Sequence, residues 1–151
     1  MSNTVSRKDA ACRLVLDTHV ALDTLLFMRP SVAPLMQAVR EQELAWIGTL
    51  SMRQEFERIL THPKLGRYNP ECERILTEFD RWICLLPEPV ADPVLRCRDR
   101  DDQVFLDLAL QQGAPWLLTR DRDLLSLARR ASARGLGVVT PEAFLGTQAR
   151  G

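Results

Sequence analysis

Leu14-Val15-Leu16-Asp17-Thr18-His19-Val20 is the stretch on which the fold turns. Arg13 to Leu16 is a short strand candidate, and its apolar run Leu14 to Leu16 stops at a carboxylate. From Thr18 to Phe27 the apolar residues Val20, Ala21 and Leu25 recur at helical spacing until Pro30 breaks the pattern. A buried strand running straight into a helix is the first half of a parallel crossover unit.

The same alternation continues downstream. Ser31 is placed to cap a helix from Val32 to about Glu41, and Leu44 to Gly48 reads as a second strand. Ser51 opens a helix with Phe56, Ile59 and Leu60 on one side, closed by His62-Pro63. Asn69-Pro70 opens another, with Glu71 and Glu73 at its positive end and a stripe of Ile75, Leu76, Phe79 and Ile83. Ile83 to Leu86 reads equally as strand, and Pro87, Pro89 and Pro93 mark a connecting loop. A charged run, Arg96 to Asp102, precedes a helix from Asp102 to Gln112 that Gly113 closes. Trp116 to Leu118 is a strand, Asp121 to Ala133 a helix, Gly137 to Val139 a last strand and Pro141 to Leu145 a final helical turn. Strands separated by helices specify an α/β fold, a three-layer sandwich with a central parallel sheet.

The 151 residues fit a single domain, residues 13–146, with a flexible N-terminal tail at 1–12 and a C-terminal tail at 147–151. Hydrophobic residues at 46% and charged residues at 26% are ordinary for a folded chain. No apolar run approaches the ~20 residues of a membrane span, and the polar N-terminus does not read as a secretory signal. A cytoplasmic protein is expected, with Cys12, Cys72, Cys84 and Cys97 reduced. The cysteines form no C-x-x-C pair, and the two histidines, His19 and His62, do not complete a zinc pattern. The formal net charge of zero argues against a broadly basic nucleic-acid surface, yet nearly all the basic residues are arginine, which grips phosphate bidentately.

Ligand sites in such sheets form beyond the carboxyl ends of the strands. Asp17 follows the first strand, Asp121 follows Trp116 to Leu118, Asp102 starts the helix leading into that strand, and Glu55 lies one turn into the helix after the second strand. Singly, each Asp is explained as a helix cap and Glu55 as a solvated helix residue. Together they are four carboxylates directed toward one sheet edge. Packed carboxylates repel, and a hard divalent cation relieves that repulsion. Oxygen donors suit Mg²⁺ or Mn²⁺, and such ions activate water and neutralise phosphate charge. Thr18 and Thr119 stand where they would cap a helix or hydrogen-bond the ligand carboxylates. Arg53, Arg58, Lys64, Arg67, Arg98, Arg100, Arg120 and Arg122 flank the acidic stretches and could position a phosphate backbone. Trp46, Trp82 and Trp116 read as core rather than base-stacking residues.

These motifs, in this order, resemble the PIN-domain nucleases. Leu16-Asp17-Thr18-His19-Val20 resembles the opening strand and Asp-Thr-Asn-Val motif. Ser51 to Leu60 with Glu55 resembles the Glu helix, and Cys97 to Ala109 the third acidic motif. Leu117 to Leu125 resembles the Thr-x-Asp-x-Asp-Leu motif, and Val138 to Leu145 the closing strand and helix. The resemblance covers residues 13 to 145 and is nearest to the bacterial toxin components of toxin–antitoxin pairs. It implies a Mg²⁺- or Mn²⁺-dependent endoribonuclease acting on single-stranded RNA, with Asp17, Glu55, Asp102 and Asp121 as both catalytic and metal residues. It also implies a homodimer and a cognate antitoxin protein as partner.

His19 stands where the family commonly has Asn, and either residue can make a hydrogen bond. Asp99, Asp101 and Asp102 compete for the third ligand position, and Phe105 and Ala109 on one face favour Asp102. Asp107 lies about 140° round the helix from Asp102 and reads as a supporting or surface acid. Asp123 is the alternative to Asp121. An Asp-nucleophile phosphotransferase or a phosphoacceptor receiver would want a downstream lysine, and the lysines here are Lys8 and Lys64. The non-catalytic rival is a weakly active PIN-like module that binds RNA or protein; that reading predicts missing acids, and all four positions are filled.

Overall fold

A computed structural model describes residues 11–150, with the side chains of 149 and 150 left aside. The expected N-terminal tail therefore lies almost wholly outside the described residues. The chain runs β1 (Cys12–Leu16), α1 (Thr18–Leu25), α2 (Ala33–Arg40), β2 (Leu44–Thr49), α3 (Leu50–Leu60), α4 (Cys72–Trp82), β3 (Cys84–Leu86), α5 (Gln103–Gln112), β4 (Trp116–Leu118), α6 (Arg122–Leu125), α7 (Ala128–Ser132), β5 (Gly137–Val139) and α8 (Pro141–Arg150). The five strands form one sheet in the order β3-β2-β1-β4-β5, every pairing parallel.

Alternation along each strand builds the three layers. Leu14 and Leu16 of β1, Trp46 of β2 and Leu118 of β4 face a core shared with α1, α2, α3, α4 and Phe144 of α8. Val15, Ile47, Leu117 and Val138 face the opposite way, onto Phe105, Leu106 and Ala109 of α5, Leu124 of α6 and Ala131 of α7. Central strands covered on both faces read as continuous apolar runs, which is why β1 is legible as a strand. Gly137 is required by packing rather than by torsion: a Cβ there would stand 2.5 Å from the Trp116 ring.

Several boundaries differ from the sequence expectation for local reasons. Thr49, not Ser51, caps α3, its hydroxyl accepting from the Met52 amide. Ser51 turns instead to Glu88. A 3₁₀ turn at Pro30–Val32 precedes α2, so Ser31 sits inside a turn rather than at a cap. Asn69 adopts a left-handed conformation at φ 48° and α4 starts only at Cys72. Cys84–Leu86 is strand, resolving the ambiguity at the end of α4. The helix expected over Asp121 to Ala133 is two short helices, and the final turn extends as α8 to Arg150. Gly113 closes α5 at φ 64° as its sequence position predicts.

The topology fixes where a ligand site can form. From β1 the chain winds outward through β2 to β3, then crosses to the other side of β1 to make β4 and β5. The β1–β4 pair is thus the switch point, with a crevice at its carboxyl end. No helix of the described residues is long and apolar enough to cross a membrane.

Candidate metal centre

Register delivers the first contact. Leu16 pairs with Leu118, so the next residues, Asp17 and Thr119, emerge side by side at the crevice. The Asp17 amide donates to the Leu118 carbonyl at 3.1 Å, and the Thr119 amide to Val139 at 2.9 Å. Asp17 is 3% exposed. Its Oδ1 accepts from the Val20 amide at 2.9 Å, capping α1, and its Oδ2 accepts from the Thr119 hydroxyl. The cap and site readings of Asp17 are therefore the same geometry. Burial pushes its carboxyl above the usual range, and the charge of Asp121 adds to that, against the lowering effect of the Thr119 and Val20 bonds and of His19.

Asp121 caps α6, its Oδ1 accepting from the amides of Asp123 at 2.8 Å and Leu124 at 3.2 Å. Its own amide donates to the Thr119 hydroxyl oxygen at 2.9 Å. Asp102 ends the 3₁₀ turn Arg100–Asp102 and precedes α5 without making a capping bond, which leaves its carboxylate available. Asp99, Asp102 and Asp121 each bring an oxygen within 4.8 Å of the other two. Partial burial together with the charges of Asp121, Asp99 and Asp17 pushes the Asp102 carboxyl up to about 7.

Of the four acids expected from sequence, Asp102 and Asp121 thus stand in the tightest group, and Asp17 is close enough for its charge to act on them. Glu55 stands outside that group, on α3, with Oε1 accepting from the Thr18 hydroxyl. Asp99, weighed as a competitor of Asp102, joins it instead. Asp101 is exposed, and Asp123 is half-buried beside Asp121.

A buried network holds Asp99's loop. The Gln103 carboxamide, 5% exposed, accepts from the Cys97 amide and donates to the Leu95 carbonyl and to Asp107 Oδ1. Asp107 Oδ1 also accepts from the Asp92 amide at 2.8 Å. Asp92 in turn accepts from Arg134 and from the amides of Val94 and Leu95, which hold its carboxyl well below the usual range. Asp107 is therefore a supporting acid pinned to the loop.

Sequence reasoning missed Asp23. It is 8% exposed on α1 and takes Arg29 at 2.8 Å and Arg120 at 3.0 Å, while Arg120 also forks onto Glu142. The available signal was a lone acid inside an otherwise apolar helical run, Val20 to Leu25. These residues, with Asp17, His19 and Asp121, wall an open hollow of about 820 Å³.

The donor set fits a hard divalent cation. It consists of carboxylate oxygens alone, and burial together with their mutual repulsion already raises the Asp102 carboxyl. Asp99, Asp102 and Asp121 would hold such an ion, which would supply positive charge among them.

A parallel α/β sandwich with carboxylates gathered at its switch point defines the class: a nuclease fold with an acidic centre. The chain belongs to the PIN domain family, whose model matches residues 13–123. PIN domains are generally nucleases and typically use divalent metals. The match takes in Asp17, Glu55, Asp99, Asp102 and Asp121, while β5 and α8 follow it. No curated protein matches the chain.

Proposed function

We propose that the protein is a Mg²⁺- or Mn²⁺-dependent endoribonuclease that hydrolyses phosphodiesters of single-stranded RNA. The observation that carries this reading is the convergence of Asp99, Asp102 and Asp121 on one point beside buried Asp17, in a PIN domain. Asp17, Asp102 and Asp121, with Asp99, are the residues that would hold the ion. When bound, it supplies positive charge against the scissile phosphate and a lowered pKa for water.

The chain's own groups do the rest. Thr119 and the Val20 amide fix both oxygens of Asp17, so its carboxylate is oriented before any ligand arrives. The Asp123 and Leu124 amides fix Asp121 through Oδ1 and leave Oδ2 for the ion. Thr18 holds Glu55 through Oε1, and Oε2 is the oxygen that would accept a proton from the attacking water.

The narrower reading is a toxin of a toxin–antitoxin pair, cytoplasmic, homodimeric and inhibited by a cognate antitoxin. It rests on the likeness of the acidic motifs to bacterial toxins of this family. A small DNA-binding protein encoded immediately upstream would support it.

The biochemical reading is tested with labelled single-stranded RNA and Mn²⁺, with and without EDTA. Cleavage that EDTA abolishes and Asp17→Asn removes is the expected result. Cleavage indifferent to EDTA, or an Asp17→Asn protein as active as wild type, overturns the assignment.

A further inference from the structure

The acids line two hollows that share no residue. Asp17 and Asp121 open onto the larger one, of about 820 Å³. Glu55 opens onto a second, of about 330 Å³, walled also by Gln54, Arg58 and Asp101. Thr18 links the two, following Asp17 in the chain and donating to Glu55. A substrate strand that runs from Asp17 to Glu55 meets both hollows.

The arginines of the two hollows are not equivalent. Arg29 and Arg120 wall the larger one, and both are committed to carboxylates: Arg29 to Asp23, Arg120 to Asp23 and Glu142. Arg122 walls the same hollow, and Arg58 the other. Among the described residues neither forms an ion pair, and both are exposed. Arg58 lies three residues after Glu55, on the same face of α3. Arg122 directly follows Asp121. Each hollow thus offers one uncommitted guanidinium next to one acid of the centre.

We infer that Arg58 and Arg122 are the two phosphate anchors of the substrate, gripping the backbone on opposite sides of the scissile phosphate. The inference rests on the nuclease reading and adds a footprint to it. The shortest strand that uses both anchors has three phosphodiesters and is cut at the middle one, a tetranucleotide. Arg29 and Arg120 are structural, because a phosphate would have to compete with carboxylates already bound to them.

The test is steady-state cleavage of a labelled RNA tetranucleotide in Mn²⁺ by wild type, Arg58→Ala, Arg122→Ala and Arg81→Ala. Arg81 serves as control: it packs on Trp82 and lines neither hollow. Each anchor variant is expected to raise KM about tenfold with kcat little changed, as for loss of one charge-assisted contact. The dependence of log(kcat/KM) on log[salt] should become shallower by about 0.7 for each anchor lost. Arg81→Ala should match wild type in both. Unchanged KM and salt slope in Arg58→Ala and Arg122→Ala, or equal changes in Arg81→Ala, overturn the inference. Should wild type not cleave at all, the nuclease reading fails, and fluorescence anisotropy of the same labelled oligomer still reads the anchors. Weaker binding by both anchor variants alone then sustains them, and equal binding by all four proteins sinks them.

Discussion

Thr119 donates its hydroxyl to Asp17 Oδ2 across 102 positions of chain, tying the end of β4 to the end of β1. The same hydroxyl oxygen accepts from the Asp121 amide. One fully buried threonine therefore sets the relative position of two acids from different segments.

Thr119→Val keeps the volume and removes both bonds. The expected cost is about 1–3 kcal/mol in denaturant unfolding, since the part-buried Asp121 amide and the buried Asp17 carboxylate each lose a partner. Mn²⁺ affinity should fall about 10-fold or more, the usual penalty for losing a supporting contact to a ligand. Thr119→Ser should recover most of the affinity. A Thr119→Val protein that binds Mn²⁺ like wild type would show that Asp17 is positioned without it.

The pH dependence of the metal-free protein follows from Asp102. Its carboxyl is raised to about 7 from 3.8, so its proton stabilises the fold at low pH. That contribution is complete below the unfolded value and is lost as pH rises through about 7. Asp17, also raised, adds in the same direction. In EDTA the Tm should therefore fall between pH 5 and pH 8, and Mn²⁺ should reverse the fall by replacing the proton. Asp102→Asn, neutral throughout, should show the smaller fall, read by calorimetry at the two pH values.

Gln103 and Asp107 clamp the loop that carries Asp99. Gln103→Ala strands the Cys97 amide and the Leu95 carbonyl in a dry environment, at a cost of about 2–4 kcal/mol for two orphaned groups. Hydrogen exchange should accelerate at the Cys97 and Asp92 amides before it does in β1. If those amides keep wild-type protection, the loop is held by Asp92 and Arg134 instead.

The chain's architecture was legible because Leu14 to Leu16 of β1 form an apolar run buried on both faces, and because the neighbouring elements are punctuated by proline, glycine or a capping residue. Asp17 and Asp121 could be proposed from sequence because the first directly follows β1 and the second stands just beyond β4, after Thr119 and Arg120, where the topology leaves little choice. Asp99 could not be separated from Asp101 and Asp102, since the choice depends on how a 3₁₀ turn directs three acids within four residues. Thr49 displaced Ser51 as the cap of α3 because Glu88, distant in sequence, recruits Ser51. Asp23 was hidden for a related reason: its partners lie 6 and 97 positions away, and only the folded chain brings Arg120 to it.

That pairing gives a last contrast. Asp23 and Glu142 both bind Arg120, but the Asp23 side chain is 11% exposed and the Glu142 side chain 43%. Solvent screens the outer pair, so Glu142→Gln should cost no more than about 1 kcal/mol despite its forked geometry. Asp23→Asn removes the charge that Arg29 and Arg120 share at a less exposed position and should cost more, about 1.5–3 kcal/mol, because both arginines remain open to solvent. Added salt should shrink the Glu142 effect and leave most of the Asp23 effect, because screening acts chiefly on exposed pairs. Urea unfolding of both single variants and the double variant at low and high salt measures this. Equal losses at the two positions would mean that Arg120 is anchored from outside, by α8, rather than from within α1.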